Sequence, residues 1–276
     1  MTTNPQTTGG EVPEDTDSEA QRLPRSVRVT LRTISRLQGG YRQDVPAAVA
    51  AVARLRREAS RSAHSSPGAW GLDHLRVLAE LREKDQQAEL VRQEGRGAPA
   101  QYFSSRSRAA HEQYEAHEDQ AVHLAVTLWA LHQQSLREDA MHLKGWPLGR
   151  SVRRLALAKT GSGESAGSGS QQTEEMSETV RKRFVRIGAA DDIEVLGARL
   201  REMVILLRGA RIPLDYGLLV KQIEDWQYEA RRDRVRGDWG RSLHASYAGP
   251  LRTDDGDTGR TPPAEDHGDP DDDMGD

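Results

Sequence analysis

Residues 192–208, DIEVLGARLREMVILLR, carry the clearest helical pattern in the chain. Apolar residues recur there every three or four positions, which is the spacing of one face of an α-helix. They are Ile193, Leu196, Leu200, Met203, Val204 and Leu207. Asp191 precedes this pattern and is predicted to cap the helix, and Gly209 follows it and is predicted to end the helix. The stretch therefore predicts an amphipathic helix that packs its apolar face into a core.

The same period, and no strand alternation, runs through the rest of the chain. Pro46 opens a predicted helix, PAAVAAVARLRREA, because proline is favoured at the first helical position. The other predicted helices cover 70–94, 119–137, 148–158, 177–188 and 231–246, with one more beginning near Pro213 and Asp215. The helix over 119–137 is apolar on most sides, which predicts that it is central and buried.

These patterns predict an all-α protein of two small helical bundles packed together. The predicted bundles span residues 21–145 and 146–248. Residues 161–170, GSGESAGSGS, have the composition of a flexible loop within the second bundle. Residues 1–20 and 249–276 are acidic and lack apolar periodicity, and we predict that both are disordered tails.

Composition excludes several classes of protein. The chain is 36% hydrophobic and only 5% aromatic, which is too little for a β-sandwich or barrel. It has no cysteine, so disulfides, thiolate nucleophiles and cysteine-based metal sites are excluded. No run approaches the roughly 18 apolar residues of a transmembrane helix, and the polar N-terminus is unlike a secretory signal peptide. We therefore predict a soluble, cytoplasmic protein with no membrane partner.

The formal net charge of −4 conceals a basic middle of the chain. Residues 1–20 hold five acids and no base, and residues 251–276 hold ten acids and two bases. Residues 21–250 therefore hold 37 bases against 28 acids, a net charge of +9. A basic middle between acidic ends is typical of a protein that meets a polyanion. Arginines that simply solvate helix faces would give the same composition, so this alternative stays open.

The sequence contains no recognisable catalytic or metal-binding constellation. Its nine histidines include no pair at i, i+4 spacing and no HExxH motif. No Walker motif is present, and the glycine run at 161–170 follows a predicted helix, unlike a phosphate-binding loop. We predict a protein that is not an enzyme, with no catalytic residue, metal or cofactor.

Basic residues cluster on helix faces opposite the apolar residues. Like charges at i, i+4 repel by a few tenths of a kcal/mol, so a helix keeps them most readily where an anion meets them. Arginine suits phosphate because its planar group can engage two oxygens. The clusters on four separate helices are Arg54, Arg56 and Arg57; Arg150, Arg153 and Arg154; Lys182 and Arg186; and Arg234 and Arg241.

Five segments, in their order along the chain, resemble the CasB family, the small subunits of the type I-E CRISPR surveillance complex Cascade. They are HLAVTLWALHQQS (123–135), PLGRSVRRLA (147–156), SETVRKRF (177–184), LREMVILLRGARIPLDYGLL (200–219) and DWQYEARRDRVRGDWGRSL (225–243). RLRR at 54–57 also fits the first basic helix of the family. The Gly/Ser stretch and the acidic tails depart from the family pattern.

The resemblance implies a compact helical protein that is not catalytic. Its implied partners are the large subunit and the backbone subunits of Cascade, a second copy of itself, the guide RNA and the target DNA. In this role basic faces stabilise the guide–target hybrid and the displaced strand, while base pairing reads the sequence. The resemblance implies the following nucleic-acid-binding residues: Arg150, Arg153, Arg154, Arg181, Lys182, Arg183, Arg201, Arg208, Arg234 and Arg236. The pattern of basic clusters adds Arg54, Arg56, Arg57 and Arg241.

Two other functions compete with this interpretation. The first is a helical interaction module whose basic faces bind acidic protein partners. The second is a helix-turn-helix DNA reader over residues 206–219. A recognition helix presents base-reading side chains such as Asn, Gln or Arg near its N-terminus. The helix after Pro213 begins Leu-Asp-Tyr-Gly-Leu, so sequence-specific reading is disfavoured.

Overall fold

The helical periodicity of the sequence is realised throughout the part of the chain that the structure describes. The computed structural model describes residues 23–59, 61–65, 67–94, 105–160 and 177–245. In these ranges it contains nine α-helices, a short 3-10 helix and no β-strand, which confirms the all-α prediction. The α-helices are α1 (Arg25–Arg42), α2 (Pro46–Arg57), α3 (Asp73–Glu94), α4 (Ser105–Gln133), α5 (Leu148–Thr160), α6 (Glu178–Gly188), α7 (Ile193–Gly209), α8 (Tyr216–Trp226) and α9 (Glu229–His244).

Helix α4 is the centre of the molecule, as its apolar sequence predicts. Every residue from 121 to 133 is buried, and Trp129 is fully so. Helices α1, α2, α3, α7 and α8 all pack against it. The helix is longer than predicted because it begins at Ser105.

Helix α1 has no counterpart among the helices predicted from sequence. It buries Val27, Ile34, Leu37 and Tyr41, which lie on one face at helical spacing. The helix packs against α2, α4 and α8. Below it, the fully buried carboxylate of Glu118 accepts hydrogen bonds from Arg25 at 3.2 Å and from Arg82 on α3 at 2.9 Å. This buried ion network joins α1, α3 and α4.

The start of α7 corrects one prediction. Asp192, not Asp191, is the N-cap, because its extended backbone lets its carboxylate accept a hydrogen bond from the Val195 amide at 2.7 Å. Asp191 is exposed instead. The predicted apolar face is confirmed from Leu196 to Leu207, although Ile193 is only half-buried.

Residues from both predicted bundles contribute to one continuous hydrophobic core. Helix α8, in the C-terminal half, packs on α1 and α4 in the N-terminal half. The boundary proposed between residues 145 and 146 stays a prediction. The tails 1–20 and 249–276 and the Gly/Ser stretch 161–170 lie outside the described residues. Within the described ranges, no helix is both long enough and apolar enough to cross a membrane.

Candidate nucleic-acid interface

The C-terminal turn of α2 carries the first predicted cluster. Arg54 and Arg57 are exposed and Arg56 is half-buried. Across the described part of the chain, none of the three guanidinium groups has a hydrogen-bond or ion-pair partner. Cations are favoured in the last turn of a helix, where the macrodipole is negative. Their charge is therefore tolerated by the fold and left available to an external anion.

Helix α1 adds two arginines that were not predicted from sequence. Arg28 is half-buried and Arg32 is exposed, and in the described chain neither guanidinium group has a polar partner. They belong to a face on which arginines recur at i, i+3, i+7 and i+11, from Arg25 to Arg36. That spacing was the signal that could have found them. We call Arg28, Arg32, Arg54, Arg56 and Arg57 the α1–α2 arginines.

The LGR element at the start of α5 has a packing role at each of its three positions. Leu148 is buried in the core. Gly149 lies so close to α9 that a Cβ atom there would overlap Ser242 and Leu243. The guanidinium of Arg150 lies 4.1 Å above the Trp146 ring and donates a hydrogen bond to the Gly145 carbonyl at 2.9 Å. Arg150 is thus fixed in place and half-buried.

The other two predicted residues of α5 differ in exposure. Arg153 is half-buried, whereas Arg154 is exposed one residue further along the helix. These two and Arg150, which the sequence predicts to lie together opposite the apolar residues, therefore differ in exposure, and their role in binding stays a prediction. Arg154 is the member of this cluster that is most open to an external ligand.

Helix α6 carries Arg181, Lys182 and Arg183, all exposed. Arg181 forms two hydrogen bonds with the Glu178 carboxylate, at 2.8 and 3.1 Å, and the Lys182 ammonium lies 3.5 Å from it. The hydrogen bond from Arg181 lowers the pKa of Glu178 below its usual value. Arg183 and Arg186, which is also exposed, have no such side-chain partner among the described residues, so both contribute uncompensated charge on this helix.

The two predicted residues of α7 have different environments. Arg201 is exposed and lines a cavity of about 220 Å³ between α7 and α4. Arg208 is half-buried and donates hydrogen bonds to the Leu131 carbonyl at 3.4 Å and to the Gln134 side chain at 2.8 Å. Arg208 thereby holds the end of α4 against α7, which is a structural contact between helices.

A buried carboxylate organises the cations at the junction of α8 and α9. Asp225 accepts hydrogen bonds from Lys221 at 2.8 Å, Arg231 at 2.9 Å and Arg234 at 2.9 Å. Burial alone would raise the pKa of Asp225, but the hydrogen bonds and charges of these cations lower it below its usual value. Three cations share one carboxylate, so the group keeps an excess of positive charge. Lys221 and Arg231 were not predicted from sequence.

The remaining predicted residues of α9 are also tied to the protein. Arg236 donates to the Gly188 carbonyl at the end of α6 at 2.7 Å and pairs with Asp233 at 3.1 Å. Arg241 pairs with Asp238 at 2.5 Å. We call Lys221, Arg231, Arg234 and Arg236 the α8–α9 cations. The predicted residues thus lie on three groups of helices: α2, which packs on α1 and α4; α7, which packs on α4, α5 and α6; and α5, α6 and α9, of which α5 packs against both others.

Three of the described histidines, His74, His123 and His132, are buried in the core, whereas His64, His111 and His244 are exposed. His74 and His123 are buried, with ring nitrogens 3.2 Å apart, a contact between helices that sequence spacing does not reveal. Burial lowers the pKa of His74 to about 3 and that of His132 to about 3, so both rings are neutral at pH 7. Within the described ranges, no group of three or more potential ligands is placed to hold a metal ion.

The described chain is therefore an all-α protein with clusters of arginines on its helix surfaces. Residues 51–244 match the family model of the CRISPR-associated protein Cse2, and the chain belongs to this family. The resemblance to CasB seen in the sequence is thereby confirmed.

Several solved structures are similar to this chain. CasB from Thermobifida fusca is 34% identical, with 81% of this chain and 99% of that chain covered and a TM-score of 0.58. CasB from Thermus thermophilus is 20% identical, with 80% and 96% covered and a TM-score of 0.45. A chain of a structure described as a CRISPR RNA-guided surveillance complex is 17% identical, with 79% and 95% covered and a TM-score of 0.47. No curated protein matches the sequence.

Proposed function

We propose that this protein is a non-catalytic subunit of a CRISPR RNA-guided surveillance complex of the Cascade type. In this role it stabilises the guide RNA–target DNA hybrid and the displaced strand through basic helix faces. Membership of the Cse2 family supports the assignment to such a complex. Its partners are then the other Cascade subunits, a second copy of itself, the guide RNA and the target DNA.

The observation that carries the nucleic-acid role is the state of the α1–α2 arginines. Five guanidinium groups on two contacting helices have no acceptor within the described chain. A phosphate backbone supplies anionic oxygens at regular spacing and releases counterions when arginines meet it. Such contacts do not distinguish bases, so they add binding free energy without altering the choice of site.

This kind of contact suits the energetics of strand exchange. The hybrid that forms is about as stable as the duplex it replaces, so protein contacts with the backbone tip the balance. A basic surface that follows the displaced strand prevents it from re-pairing. The protein therefore promotes strand opening while the guide selects the target.

The test compares two double variants in reassembled complexes. Arg54→Ala with Arg57→Ala removes two exposed arginines, and Lys84→Ala with Arg92→Ala removes two exposed cations of α3 as a control. Permanganate footprinting across a salt series measures how completely the target duplex opens. We expect the α2 variant to open all targets less completely, with unchanged target preference, and the α3 variant to match the wild type.

Each possible result bears on the proposal. Equal opening by both variants and the wild type would contradict a nucleic-acid role for α2. Loss of the subunit from the complex, seen by gel filtration of the α2 variant, would indicate that these arginines bind an acidic protein surface instead. Altered target preference would indicate that they read bases.

A further inference from the structure

Trp70 is the one exposed tryptophan of the chain. The other four, at 129, 146, 226 and 239, are at most 7% exposed, whereas Trp70 is 69% exposed. Large aromatic side chains are usually buried because they remove much apolar surface from water. The exposure of Trp70 therefore calls for a ligand that covers it.

The segment around Trp70 is anchored on both sides of the ring. Ala69, at the end of the 3-10 helix Pro67–Ala69, is fully buried, and Leu72 is 6% exposed. The Trp70 amide donates to the Pro67 carbonyl at 3.2 Å, and the Leu72 amide donates to the Ala69 carbonyl at 3.2 Å. Between the anchors Gly71 adopts a positive φ of 78°, a conformation that favours glycine. The ring is thus presented to solvent by a defined turn.

The turn that carries Trp70 continues into a groove that is lined by both charged and apolar residues, and Trp70 itself is not among them. Leu72 and Asp73 line a shallow groove together with Arg36 of α1 and Arg54 of α2. The Asp73 carboxylate accepts a hydrogen bond from Arg36 at 2.7 Å, and Arg76 lies 3.6 Å from it and also pairs with Glu80. Arg54 has no partner in the described chain and adds uncompensated positive charge. The nearest residues in sequence, Pro67, Gly68 and Gly71, are exposed and small.

The other large apolar residues with high exposure lie on different segments. They include Val45 at the opposite end of α2 from Arg54, Leu90 and Val91 near the end of α3, and Val185 on α6. A protein interface has an apolar patch at its centre, with charged residues depleted there. An exposed aromatic ring close in sequence to a groove that arginines line is instead compatible with single-stranded nucleic acid, which is bound by aromatic stacking platforms and cationic grooves together.

We infer that Trp70 is a stacking platform for an unpaired base of a single-stranded nucleic acid whose phosphates contact Arg54 and Arg36. This inference rests on the proposed function and adds a specific contact to it. Stacking accepts any base, because every base has a π-face, so the contact adds affinity without sequence preference. Removing one stacked base–aromatic pair weakens binding by about 5- to 150-fold.

Tryptophan fluorescence tests the inference on the full-length protein. Because the other tryptophans are buried, iodide quenches the emission of Trp70 selectively. We expect a 20-nucleotide oligo(dT) to quench part of the Trp70 emission. The Trp70 emission that remains should then be protected from quenching by iodide. The Trp70→Ala variant should show no such change in emission. Its affinity for oligo(dT), measured by anisotropy of the labelled oligonucleotide, should fall by at least fivefold. Trp70→Phe should retain affinity within about threefold, because a phenyl ring still stacks.

Two controls separate stacking from other effects. Val185→Ala removes a similarly exposed apolar side chain from α6 and should bind like the wild type. Arg54→Ala should lower the dependence of log K on log salt by about 0.7, whereas Trp70→Ala should leave that slope unchanged. A thermal melt of each variant, followed by circular dichroism, confirms that it is folded.

The outcomes distinguish this inference from the proposed function. If Trp70→Ala binds oligo(dT) like the wild type while Arg54→Ala binds more weakly, stacking is excluded and the phosphate-binding role stands. If the wild-type protein does not bind oligo(dT), the stacking inference is overturned, and the footprinting experiment still decides the proposed function. Raising the protein concentration alone could also protect Trp70 from iodide. In that case a second copy of the chain covers the ring, and this result would also overturn the stacking inference.

Discussion

The α1–α2 arginines and the α8–α9 cations are held in opposite ways. The guanidinium groups of the α1–α2 arginines have no protein partner in the described chain. On α8 and α9 the cations share the Asp225 carboxylate or, in the case of Arg236, bind the Gly188 carbonyl and Asp233. One group therefore offers its full charge, and the other offers a fixed arrangement with part of its charge already compensated.

The difference has consequences for binding. A free arginine side chain loses conformational entropy, up to about 2 kcal/mol, when it is ordered on a phosphate. A side chain already ordered by the protein avoids most of this cost, which is the benefit of preorganisation. We therefore expect the α1–α2 arginines to dominate the salt dependence of binding and the α8–α9 cations to depend on the integrity of Asp225.

The largest expected effect concerns the core that supports both groups. Leu200 is fully buried on α7, and Leu200→Ala should lower the free energy of unfolding by about 2–5 kcal/mol. Because one continuous core joins both halves, circular dichroism and tryptophan fluorescence should show a single, coincident transition at a lower Tm. Ile205→Ala, at a 37% exposed position of the same helix, is the control and should change stability little. Two separate transitions would show instead that the two halves unfold independently.

The next effect tests the organising role of Asp225. Asp225→Asn keeps the shape of the side chain but removes its charge, and should lower stability at pH 7 by about 1–2 kcal/mol, given that its partners are largely exposed. The folded-state pKa of Asp225 is below its ordinary value, because Lys221, Arg231 and Arg234 outweigh burial and the neighbouring Glu224. The contribution of Asp225 to the free energy of unfolding is therefore complete above the unfolded pKa of about 4. It is lost as the pH falls through the folded-state pKa.

Urea denaturation from pH 7 to pH 3 measures this contribution. The difference between the wild type and Asp225→Asn should shrink as the pH falls below about 4. Asp233→Asn, at a 95% exposed side chain on the same helix as Arg231 and Arg234, serves as the control and should differ from the wild type by less than about 0.5 kcal/mol at every pH. A difference for Asp225→Asn that is constant with pH would contradict an electrostatic role.

A smaller effect compares the two groups directly in single-strand binding. Arg54→Ala with Arg57→Ala should lower the salt slope by about 1.4, because each phosphate that is no longer neutralised lowers it by about 0.7. Arg231→Ala with Arg234→Ala should lower the slope by less, because Asp225 already compensates part of their charge. Anisotropy of labelled oligo(dT) at several salt concentrations gives both slopes. Equal slopes would remove the distinction between free and restrained arginines.

The smallest effect concerns the acidic ends of the sequence. Deleting residues 1–20 and 251–276 removes a net charge of −13 from a chain whose middle carries +9. We expect the trimmed protein to bind oligo(dT) a few-fold more tightly at low salt, with no gain at high salt where charges are screened. The increase in affinity caused by the deletions should be smaller when Arg54→Ala and Arg57→Ala are present in both the full-length and the trimmed protein. Equal affinities of the full-length and trimmed proteins at low salt would contradict shielding by the tails.

The sequence by itself determined the helices and the faces they bury. Helical period, proline at the first position of α2 and aspartate before α8 are local signals, because side chains at i, i+3 and i+4 share a face and a cap acts within one turn. Helix α1 carries the same signal in its buried residues and was overlooked. Two glycines near its end, Gly39 and Gly40, weaken its helical pattern, and Gly40 is required there because a Cβ would lie 2.8 Å from that of Ala48 on α2.

Only the tertiary structure decided which arginines are free and which are engaged. Arg208 donates a hydrogen bond to the Leu131 carbonyl, 77 residues away, and Arg236 donates one to the Gly188 carbonyl, 48 residues away. The guanidinium group of Arg54, in contrast, has no polar partner in the described chain. In the sequence all three are arginines on the polar side of a helix. Their partners come from helices distant along the chain, and the relative placement of those helices follows from packing of the shared core. Periodicity predicts which face is polar, but the neighbour that this face meets depends on that packing.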